Sequence, residues 1–371
     1  MSATFLTPSH LELRARARAT VTSLEPHGHV SDAQLRDEVA RLGFYPYLVP
    51  SQHGGVHEKV DVLSICVLRE EFAYRNAAAD SLFAVQGLGS HPVLLAGSDA
   101  QKTELLSQVA KGTALFAFAL TEADAGSDVA ALATTAEENG TGWKLNGAKK
   151  FISNAGVATH YTVFARTGAG PKGISAFVVP ADAKGFRVSR QMELMGEHPI
   201  GELQLTNCEV PGEAMLGGEG QGMKLALSTL DVFRSTVGAA AVGIARRALD
   251  EALGYSKTRK QFGAPLAELS AVQALLADSA VELEASRLLV HQAALTKDQG
   301  QQRVTYEAAV AKLFSTEAAQ RIVDRCLQVH GGNGVVKGAV VERLYRDVRA
   351  LRIYEGASEV QRLVIARHLL G

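Results

Sequence analysis

The sequence predicts an α+β protein in three parts. Residues 1–112 form an N-terminal α-helical domain, residues 113–221 a middle antiparallel β domain, and residues 222–371 a C-terminal four-helix bundle. Two observations predict the parts: the outer segments repeat apolar residues at helical spacing, and the middle one carries β-branched and aromatic residues between turn signals. A third predicts antiparallel pairing, because the connections between candidate strands are too short for helical crossovers.

The composition is that of an ordinary globular protein. Of the 371 residues, 47 % are hydrophobic and 21 % charged, and the net charge is -1. Disorder is therefore excluded, and no global field draws the chain to nucleic acid or to an anionic membrane. We expect no nucleic-acid partner, and any anionic ligand must be held by local groups.

The cysteines and the apolar runs bear on the compartment. Cys66, Cys208 and Cys326 are odd in number and widely spaced, which argues against a disulfide framework or a zinc site, and we expect no metal. No run approaches the roughly 20 apolar residues that cross a bilayer, and the first residues lack the apolar core of a secretory signal. We expect a cytoplasmic protein without membrane insertion.

The N-terminal part reads as helices from about residue 8 to residue 112, with breaks at residues 54–55 and at Gly97. Ser98 and Gln101 have the spacing of a capping box, and an amphipathic segment follows them. Gly112 marks the expected end of that helix.

The middle part contains several candidate strands. The sequence WKLNGAKKFIS carries Asn146 and Gly147, the strongest short signal for a β-hairpin, and predicts a turn there. Further strands are predicted at residues 161–166, 174–179, 186–189 and 202–205.

The C-terminal part returns to long helices. Val272, Leu276, Leu283 and Val290 form one apolar seam, and the small residues of 238–253 allow neighbouring helices to approach closely. A four-helix bundle with oligomer-forming faces is the expected result.

Two stretches of the middle part offer ligand groups. In FAFALTEADAGSD, the hydroxyls of Thr121 and Ser127 and the backbone N-H groups of the turn suit a polar heterocycle or phosphate oxygens, although a solvated turn has the same composition. In KKFISNAGVATH, Phe151 and Ser153 share one face if the segment is a strand. They could flank a flat ring, or be a core aromatic beside an edge hydroxyl.

Two stretches of the C-terminal part are basic or rich in glycine. In TRKQFGAP, Arg259 could meet a diphosphate and Phe262 an adenine face, or the stretch is an exposed basic helix end. In LQVHGGNGVV, the glycines permit close backbone approach. Their spacing is not a dinucleotide fingerprint and they follow a helix rather than a strand, so a nicotinamide-binding domain is not expected.

The stretch RIYEGASEVQ, residues 352–361, places a carboxylate directly before a glycine. Glycine costs about 1 kcal/mol relative to alanine inside a helix. Taken alone, the stretch is explained by a helix end with Gly356 as a left-handed cap and Glu355 facing solvent, or by a function for the carboxylate.

Together, these five stretches resemble the acyl-CoA dehydrogenase flavoprotein family, and the resemblance covers nearly the whole chain. The loop resembles the signature ALTEPxAGSD with Ala123 and Asp124 in place of Pro-Gly, and the later stretches resemble QxxGGxG and YEGTSxxQ. The resemblance implies FAD between the β domain and the C-terminal bundle, with part of its site supplied by a neighbouring subunit. It therefore implies a homo-oligomer, either a dimer or a tetramer.

The resemblance also implies roles for residues at the cofactor. Leu120 and Thr121 should contact the pyrimidine end of the flavin and Ser127 a phosphate. Phe151 should pack beside the isoalloxazine and Ser153 should hydrogen-bond near N5, where the family often has Trp and Thr. The residues expected to reach a partner's FAD are Arg259, Phe262, Gln328 and Gly332.

Glu355 resembles the family's catalytic base. It would remove the α proton of an acyl-CoA while the β hydrogen leaves as hydride to flavin N5, giving the trans-2-enoyl-CoA. Burial beside Tyr354 and the acyl chain would raise its pKa from about 4.3 toward roughly 6–7. Its backbone N-H, with a ribityl hydroxyl, would polarise the thioester carbonyl, and Gly356 would leave room for the chain to turn beside the ligand.

Two neighbouring positions on an earlier helix of the C-terminal part, Phe233 and Arg234, bear on this assignment. Some relatives carry the base at the position of Phe233, which cannot take a proton, so Glu355 is the candidate here. Arg234 resembles a residue lining the CoA and acyl entrance, although a charge on the bundle surface would have the same pattern.

The expected electron acceptor is an electron-transfer flavoprotein. Two departures leave alternatives open: GEHPIGEL is two residues shorter than the family's segment beside the CoA channel, and Ala357 replaces a common threonine. The alternatives are an oxidase that reduces oxygen, a dehydrogenase of acyl groups on a carrier protein, and a catalytically silent flavin-binding oligomer.

Overall fold

The computed structural model describes residues 5–25 and 31–371, and it begins with a group of helices. Two 3-10 turns, Tyr45–Leu48 and Ser51–His53, replace further α-helix in one of the connections. The α-helices of this part are α1 (Pro8–Val21), α2 (Asp32–Arg41), α3 (Val62–Arg75), α4 (Ala77–Ala96), α5 (Asp99–Gln101) and α6 (Ser107–Lys111), the last two joined by a π-helical turn.

The ends of the α5–α6 segment are those predicted. Ser98 Oγ accepts a hydrogen bond from the backbone N-H of Gln101, and the backbone N-H of Ser98 donates one to Oε1 of Gln101, which completes the capping box. At the other end Gly112 is left-handed, with φ of 72°, and its N-H reaches back to the helix.

The middle part is one seven-stranded sheet in the order β1-β4-β2-β3-β7-β6, with β5 on the other edge of β4. Most pairs are antiparallel, but β1 runs parallel to β4, and β2 touches β4 in parallel at one residue pair. The prediction of wholly antiparallel pairing is wrong for these pairs, because β2 and β3 intervene between β1 and β4 and allow a return in the same direction. The strands are β1 (Phe116–Ala119), β2 (Thr135–Glu138), β3 (Gly142–Ser153), β4 (His160–Arg166), β5 (Ile174–Pro180), β6 (Phe186–Gln191) and β7 (Ile200–Pro211).

The hairpin turn predicted at Asn146 and Gly147 is wrong. Strand β3 continues through both residues, with an irregularity in its pairing to β7 at this point. Asn146 Oδ1 accepts a hydrogen bond from the backbone N-H of Asn207 at 2.7 Å, so the pair marks a bulge rather than a turn. The turn lies earlier, where the N-H of Asn139 donates to the carbonyl of Gly142.

The C-terminal part is a bundle of α7, α8, α9 and α10, and α11 packs on α9. Leu283 and Val290 of the predicted seam are buried, whereas Val272 and Leu276 are partly exposed. The elements are α7 (Gly222–Thr258), the short strands β8 (Lys260–Gln261) and β9 (Ala264–Pro265), α8 (Ser270–Asp298), α9 (Thr305–His330), α10 (Val340–Ala350) and α11 (Ser358–Leu370).

Helix α7 is the centre of the molecule. Its small residues permit the close packing that the sequence predicted: a Cβ at Gly243 would stand 2.3 Å from the carbonyl oxygen of Glu70, and one at Gly238 would stand 2.7 Å from Val290. The helix is long and apolar enough to cross a membrane, but 78 % of the qualifying window is buried inside the protein. This burial identifies α7 as a helix of the protein core.

The core of the N-terminal helices includes residues from the far end of the chain. Val232 and Phe233 of α7, Val290 of α8 and Ala311 of α9 belong to the same buried cluster as the apolar residues of α1 to α4. The two helical parts therefore share one core, and Tyr354, in the loop before α11, packs against a second cluster inside the bundle.

Candidate active site

Glu355 lies in the connection between α10 and α11. Glu355 and Gly356 both have positive φ, at 53° and 95°. The helix-end explanation of this stretch is wrong, because α10 already ends at Ala350 and Glu355 is half-buried rather than facing solvent. A Cβ at position 356 would stand 2.2 Å from Nε2 of Gln361, so the close packing of this loop requires glycine.

Three side chains hold the backbone of this loop. The carbonyl of Gly356 accepts hydrogen bonds from Lys312 Nζ at 2.8 Å and from Gln361 Nε2 at 2.9 Å. The carbonyl of Glu355 accepts one from Arg234 Nε at 3.3 Å. Oε2 of Glu355 is buried, yet it has no hydrogen-bond partner among the residues that the structure describes. The loop is fixed while its carboxylate is left available to a ligand.

The surroundings of Glu355 shift the pKa of its carboxyl group. Burial raises the pKa of Glu355, and the cations Arg69, Arg234 and Lys312 partly oppose that rise. Burial also lowers the pKa of Lys312 to about 8. A half-buried carboxylate whose pKa lies above the ordinary value has the properties of a general base.

Arg234 is not a surface charge of the bundle. Its side chain is buried and pairs with Asp231 at 3.1 Å, and Asp231 also accepts a hydrogen bond from Thr305 at 2.6 Å. The pair fixes the guanidinium beside the carbonyl of Glu355. The alternative of a solvated bundle charge is therefore wrong.

Tyr354 and Phe233 provide apolar surface close to the base. Tyr354 packs against the buried cluster of the bundle, and burial raises the pKa of its hydroxyl. Phe233 is buried, and its ring crosses that of His91 edge to face at 5.6 Å. Phe233 has no proton-accepting group, so it leaves Glu355 as the titratable side chain of the two positions.

The loop after β1 is anchored by a buried ion pair. Lys149 Nζ contacts Glu122 Oε1 at 2.7 Å and the carbonyl of Leu120 at 3.2 Å. The N-H of Lys150 donates to the carbonyl of Thr121 at 2.9 Å, so β3 holds the loop by both backbone and side chain. Leu120 is buried, Thr121 is half-buried and Ser127 is exposed.

Lys149 and Glu122 were not identified from the sequence. Lys149 is buried in a strand whose neighbour Lys150 is half-buried. The available signal was a lysine at an inward-facing strand position, because a buried ammonium requires an acidic partner.

Regular alternation of side chains along a strand does not set the directions of the Phe151 and Ser153 side chains. Phe151 has φ of 57°, and the pairing of β3 with β7 is irregular between Lys149 and Ile152. The Phe151 ring is 50 % exposed, and Ser153 Oγ lies 3.2 Å from His198 Nε2. The strand irregularity therefore places a half-exposed ring, with Lys150 Nζ 5.2 Å from its centroid, next to a hydroxyl.

The shortened segment GEHPIGEL packs on α10. Arg346 donates to the carbonyl of Met195 at 2.8 Å, and Gly196 lies against the backbone of Asp347. Burial lowers the pKa of His198 to about 4, so its ring is neutral at pH 7. His198 was not identified from the sequence, because the family resemblance is broken at this segment.

The residues assigned to a partner's cofactor lie on the surface of the single chain. The Phe262 ring is 93 % exposed, at φ of 54° in the turn between β8 and β9. Arg259, Gln328 and Gly332 are also exposed. A surface that completes the site of another subunit must be accessible in this way.

The residues of the first loop and of β3 fit a flavin nucleotide. Added Cβ atoms at Gly126 and Gly332 would meet no atom within 4 Å in the part of the chain that the structure describes, so both backbones are open to a ligand. The hydroxyls of Thr121 and Ser127 suit polar and phosphate oxygens, and the exposed ring of Phe151 suits a flat heterocycle.

Comparison with known proteins gives the family of the chain. Three family profiles match consecutive segments: "Acyl-CoA dehydrogenase, N-terminal domain" over residues 7–113, "middle domain" over 117–208 and "C-terminal domain" over 220–370. The probable acyl-CoA dehydrogenase FadE25 of Mycobacterium tuberculosis is 39 % identical over 377 residues, which cover 98 % of this chain and 96 % of that protein.

Two further relatives are informative. The caffeyl-CoA reductase-Etf complex subunit CarC of Acetobacterium woodii is 37 % identical over 342 residues, covering 91 % of this chain and 89 % of that protein. The structure of butyryl-CoA dehydrogenase from Megasphaera elsdenii superposes with a TM-score of 0.95 at 36 % identity and covers 99 % of both chains.

The fold and the site define a flavin-dependent oxidoreductase. The chain belongs to the acyl-CoA dehydrogenase family, and its cofactor is FAD. The predicted fold class is confirmed, with helical N-terminal and C-terminal parts around a β domain.

Proposed function

We propose that the protein oxidises an acyl-CoA thioester to the trans-2-enoyl-CoA, with Glu355 as the general base that removes the α proton. The observation that carries this proposal is the buried, unpartnered Oε2 of Glu355, on a loop whose backbone is held by other residues. When bound, FAD supplies the hydride acceptor, because the β hydrogen leaves to its N5.

The neighbours of Glu355 prepare the substrate for proton removal. The backbone N-H of Glu355 donates to the thioester carbonyl, which stabilises the negative charge that develops there. Tyr354 packs against the acyl chain, Gly356 allows the polypeptide to turn beside the ligand, and Arg234 lines the side from which CoA enters. The raised pKa of Glu355 increases its affinity for the α proton relative to an exposed glutamate.

The cofactor is held by the first loop, by β3 and by a second subunit. Leu120 and Thr121 contact the pyrimidine end of the flavin, Ser127 a phosphate, Phe151 the ring system and Ser153 the N5 edge. These assignments are supported by the open, anchored loop and by the half-exposed Phe151 ring. The protein is a homo-oligomer, either a dimer or a tetramer. Each subunit completes the FAD site of another subunit with Arg259, Phe262, Gln328 and Gly332.

The proposed electron acceptor is an electron-transfer flavoprotein. The support is the relative from Acetobacterium woodii, whose name places it in a complex with Etf. The same relative is named a reductase, so the direction of the reaction is part of what the experiment must establish.

The test is an anaerobic titration of the purified holoenzyme with acyl-CoAs of different length and branching, followed by the flavin absorbance. We expect the wild type to bleach, and Glu355→Gln to retain FAD without bleaching. Glu359→Gln is the matched control, because Glu359 is an exposed glutamate a few residues away. A wild type that retains FAD but is bleached by no acyl-CoA contradicts the proposal. Prompt peroxide formation in air would identify an oxidase instead.

A further inference from the structure

A histidine beside the residues assigned to the flavin has no role in the mechanism above. Nε2 of His198 lies 3.2 Å from Oγ of Ser153, the hydroxyl assigned to the N5 edge of FAD. Both side chains are half-buried, and the ring of Phe151, two residues before Ser153, is 50 % exposed. The contact therefore lies at the edge of the surface assigned to the cofactor rather than deep in the core.

The strands fix the backbone on both sides of this contact. Ser153 of β3 pairs with Ile200 of β7, and the N-H of Asn154 donates to the carbonyl of Pro199 at 2.8 Å. His198 directly precedes Pro199, and a proline restricts the backbone of the residue before it. The register of β3 and β7 therefore brings His198 to Ser153.

The segment that carries His198 is also attached to α10. Arg346 of that helix donates to the carbonyl of Met195 at 2.8 Å. A Cβ at Gly196 would stand 3.0 Å from Cα of Asp347, so the segment lies directly against the helix backbone. Two elements, β7 and α10, thus hold the imidazole in place.

The surroundings of the ring decide which of its nitrogens carries the hydrogen. Burial lowers the pKa of His198 to about 4, so the ring is neutral at pH 7 and has one N-H donor and one acceptor nitrogen. The carbonyl of Gly196 opposes that lowering as a hydrogen-bond partner of the ring. Because a carbonyl oxygen can only accept, the ring nitrogen that faces it bears the hydrogen. Nε2, which meets Ser153, is then the acceptor, and the hydroxyl of Ser153 donates to it.

This arrangement limits what Ser153 can offer to a cofactor. A hydroxyl has one hydrogen and two lone pairs, so an Oγ that donates to His198 can only accept elsewhere. N5 of a flavin has a lone pair when the flavin is oxidised and carries a hydrogen when it is reduced. An acceptor at that edge therefore pairs with the reduced form, and the oxidised form gains a hydrogen bond only if Ser153 leaves His198.

We propose that His198 is a positioning residue that holds the Ser153 hydroxyl as a hydrogen-bond acceptor at N5 of FAD, so that the pair stabilises the reduced cofactor and raises its reduction potential. This inference rests on the placement of Ser153 in the proposed function. A higher potential favours withdrawal of hydrogen from an acyl-CoA, so the pair biases the enzyme toward oxidation of the thioester rather than reduction of the enoyl-CoA. His198 belongs to GEHPIGEL, the segment in which this chain departs from the family.

The experiment measures the potential of the bound cofactor rather than turnover. Purified holoenzyme is reduced stepwise with dithionite at pH 7, without oxygen and without acyl-CoA, beside a reference dye of known potential. His198→Phe keeps a ring but has no acceptor nitrogen, so Ser153 becomes free to donate to the oxidised form. We expect the equilibrium constant for reduction to fall about fivefold, the size of one neutral hydrogen bond, which is about 20 mV for a two-electron couple.

Ser153→Ala tests whether the two residues act as a unit. It removes the acceptor itself, so it should lower the potential by a similar amount, and adding His198→Phe to it should produce no further fall. His198→Leu takes the place of His198→Phe if that variant does not retain FAD. His160→Phe is the matched control that should leave the potential unchanged, because His160 also contacts a hydroxyl of the β domain, Oγ1 of Thr159 at 2.9 Å.

The outcomes separate this inference from the proposed function. An unchanged potential in His198→Phe, with a lowered one in Ser153→Ala, overturns the inference alone. A raised potential in His198→Phe also overturns it, because the histidine would then be the donor to Ser153. If Ser153→Ala leaves the potential unchanged as well, Ser153 does not lie at N5, and its placement in the proposed function is wrong too. The proposed reaction is decided separately, by the titration with acyl-CoAs.

Discussion

Two successive residues with positive φ place the proposed base. For Glu355 this conformation costs about 1–2 kcal/mol, because a side chain in the left-handed region approaches its own carbonyl group. The hydrogen bonds from Lys312 and Gln361 to the carbonyl of Gly356 offset that cost. The strain is therefore maintained by neighbours that do not themselves take the proton.

Replacing Gly356 should misplace the carboxylate. In Gly356→Ala the new Cβ would collide with Nε2 of Gln361, 2.2 Å away, at φ of 95°. We expect kcat to fall by about 10- to 100-fold with FAD retained, because a small displacement of a catalytic group has effects of this size. Gly254→Ala is the control, since a Cβ there meets no described atom within 4 Å. Wild-type kcat in Gly356→Ala would refute the requirement for glycine.

Removing the cation at Lys312 should change the pH profile. Lys312 favours the ionised form of Glu355, so Lys312→Met should raise the pKa of Glu355 further. The base is inactive when protonated, so the acid limb of kcat/KM should move to higher pH. The check is the pH dependence of kcat/KM for wild type and variant. An unchanged or more acidic limb would show that Lys312 does not act on the base.

The proposed base could be singled out from the sequence, but the residues around it could not. Glu355 could be proposed because a carboxylate followed by glycine is unusual and because the stretch resembles a known signature. Lys312 and Arg69 could not, because they come from helices far away in the chain and become neighbours of Glu355 only when α3, α7 and α9 pack together. Contacts between residues that are far apart in the sequence produce no pattern within a single stretch of it.

Strand β3 serves as the platform for the cofactor loop. Its inward side supplies Lys149 to Glu122, while its backbone binds Thr121. Glu122 also accepts hydrogen bonds from the N-H groups of Ala133 and Thr134. Its carboxylate therefore joins the beginning of the loop to its end. The position of Leu120 and Thr121 depends on this element rather than on the loop sequence alone.

Unpairing Glu122 should loosen that loop. Lys149→Met leaves a buried carboxylate without its cation, which typically costs about 3–5 kcal/mol. We expect a lower melting temperature and loss of FAD on gel filtration. Lys184→Met is the control, because Lys184 is an exposed lysine of the same domain that contacts Glu209 at 3.4 Å. Equal effects of the two substitutions would remove the special role of the buried pair.

The positions of several strands could be predicted from local sequence pattern. Features that depend on which strands pair with each other could not. Runs of β-branched and aromatic residues located β4, β5 and β6 to within about two residues at each end, whereas β7 continues to Pro211, well beyond its predicted end at Leu205. The hairpin signal of Asn146 and Gly147 failed because β3 pairs with β7 on both sides of it, and these long-range hydrogen bonds outweigh the local preference for a turn. The parallel pairing of β1 with β4 was likewise set by distant contacts.

The exposed turn between β8 and β9 is the proposed link between cofactor binding and assembly. If Phe262 of one subunit contacts the FAD of another, Phe262→Ser should lower FAD occupancy at low protein concentration without lowering the melting temperature of the apoprotein, because its ring is 93 % exposed in the single chain. Occupancy is read from the ratio of flavin to protein absorbance and the mass from light scattering. Val56→Ser, also exposed, is the control. Full occupancy of the variant on dilution would argue against a shared site.

The order of helices, sheet and helices was predictable because the period of the apolar pattern changes twice along the chain. The sharing of one core between the two helical parts was not, since periodicity shows that a face is buried but not against which partner. Phe233 illustrates this: its apolar character was evident, whereas its contact with Gly87 of α4 depends on how α7 crosses the N-terminal helices.

That shared core has a consequence for synthesis of the chain. The apolar residues of α1 to α4 emerge from the ribosome long before Val232, Val290 and Ala311, which complete their cluster. The nascent N-terminal helices must remain partly uncovered until more than 300 residues have been made. A chaperone that binds exposed apolar helices therefore has its longest opportunity on this segment. For the same reason, a chain interrupted before α7 should be cleared by proteases rather than persist as a folded fragment.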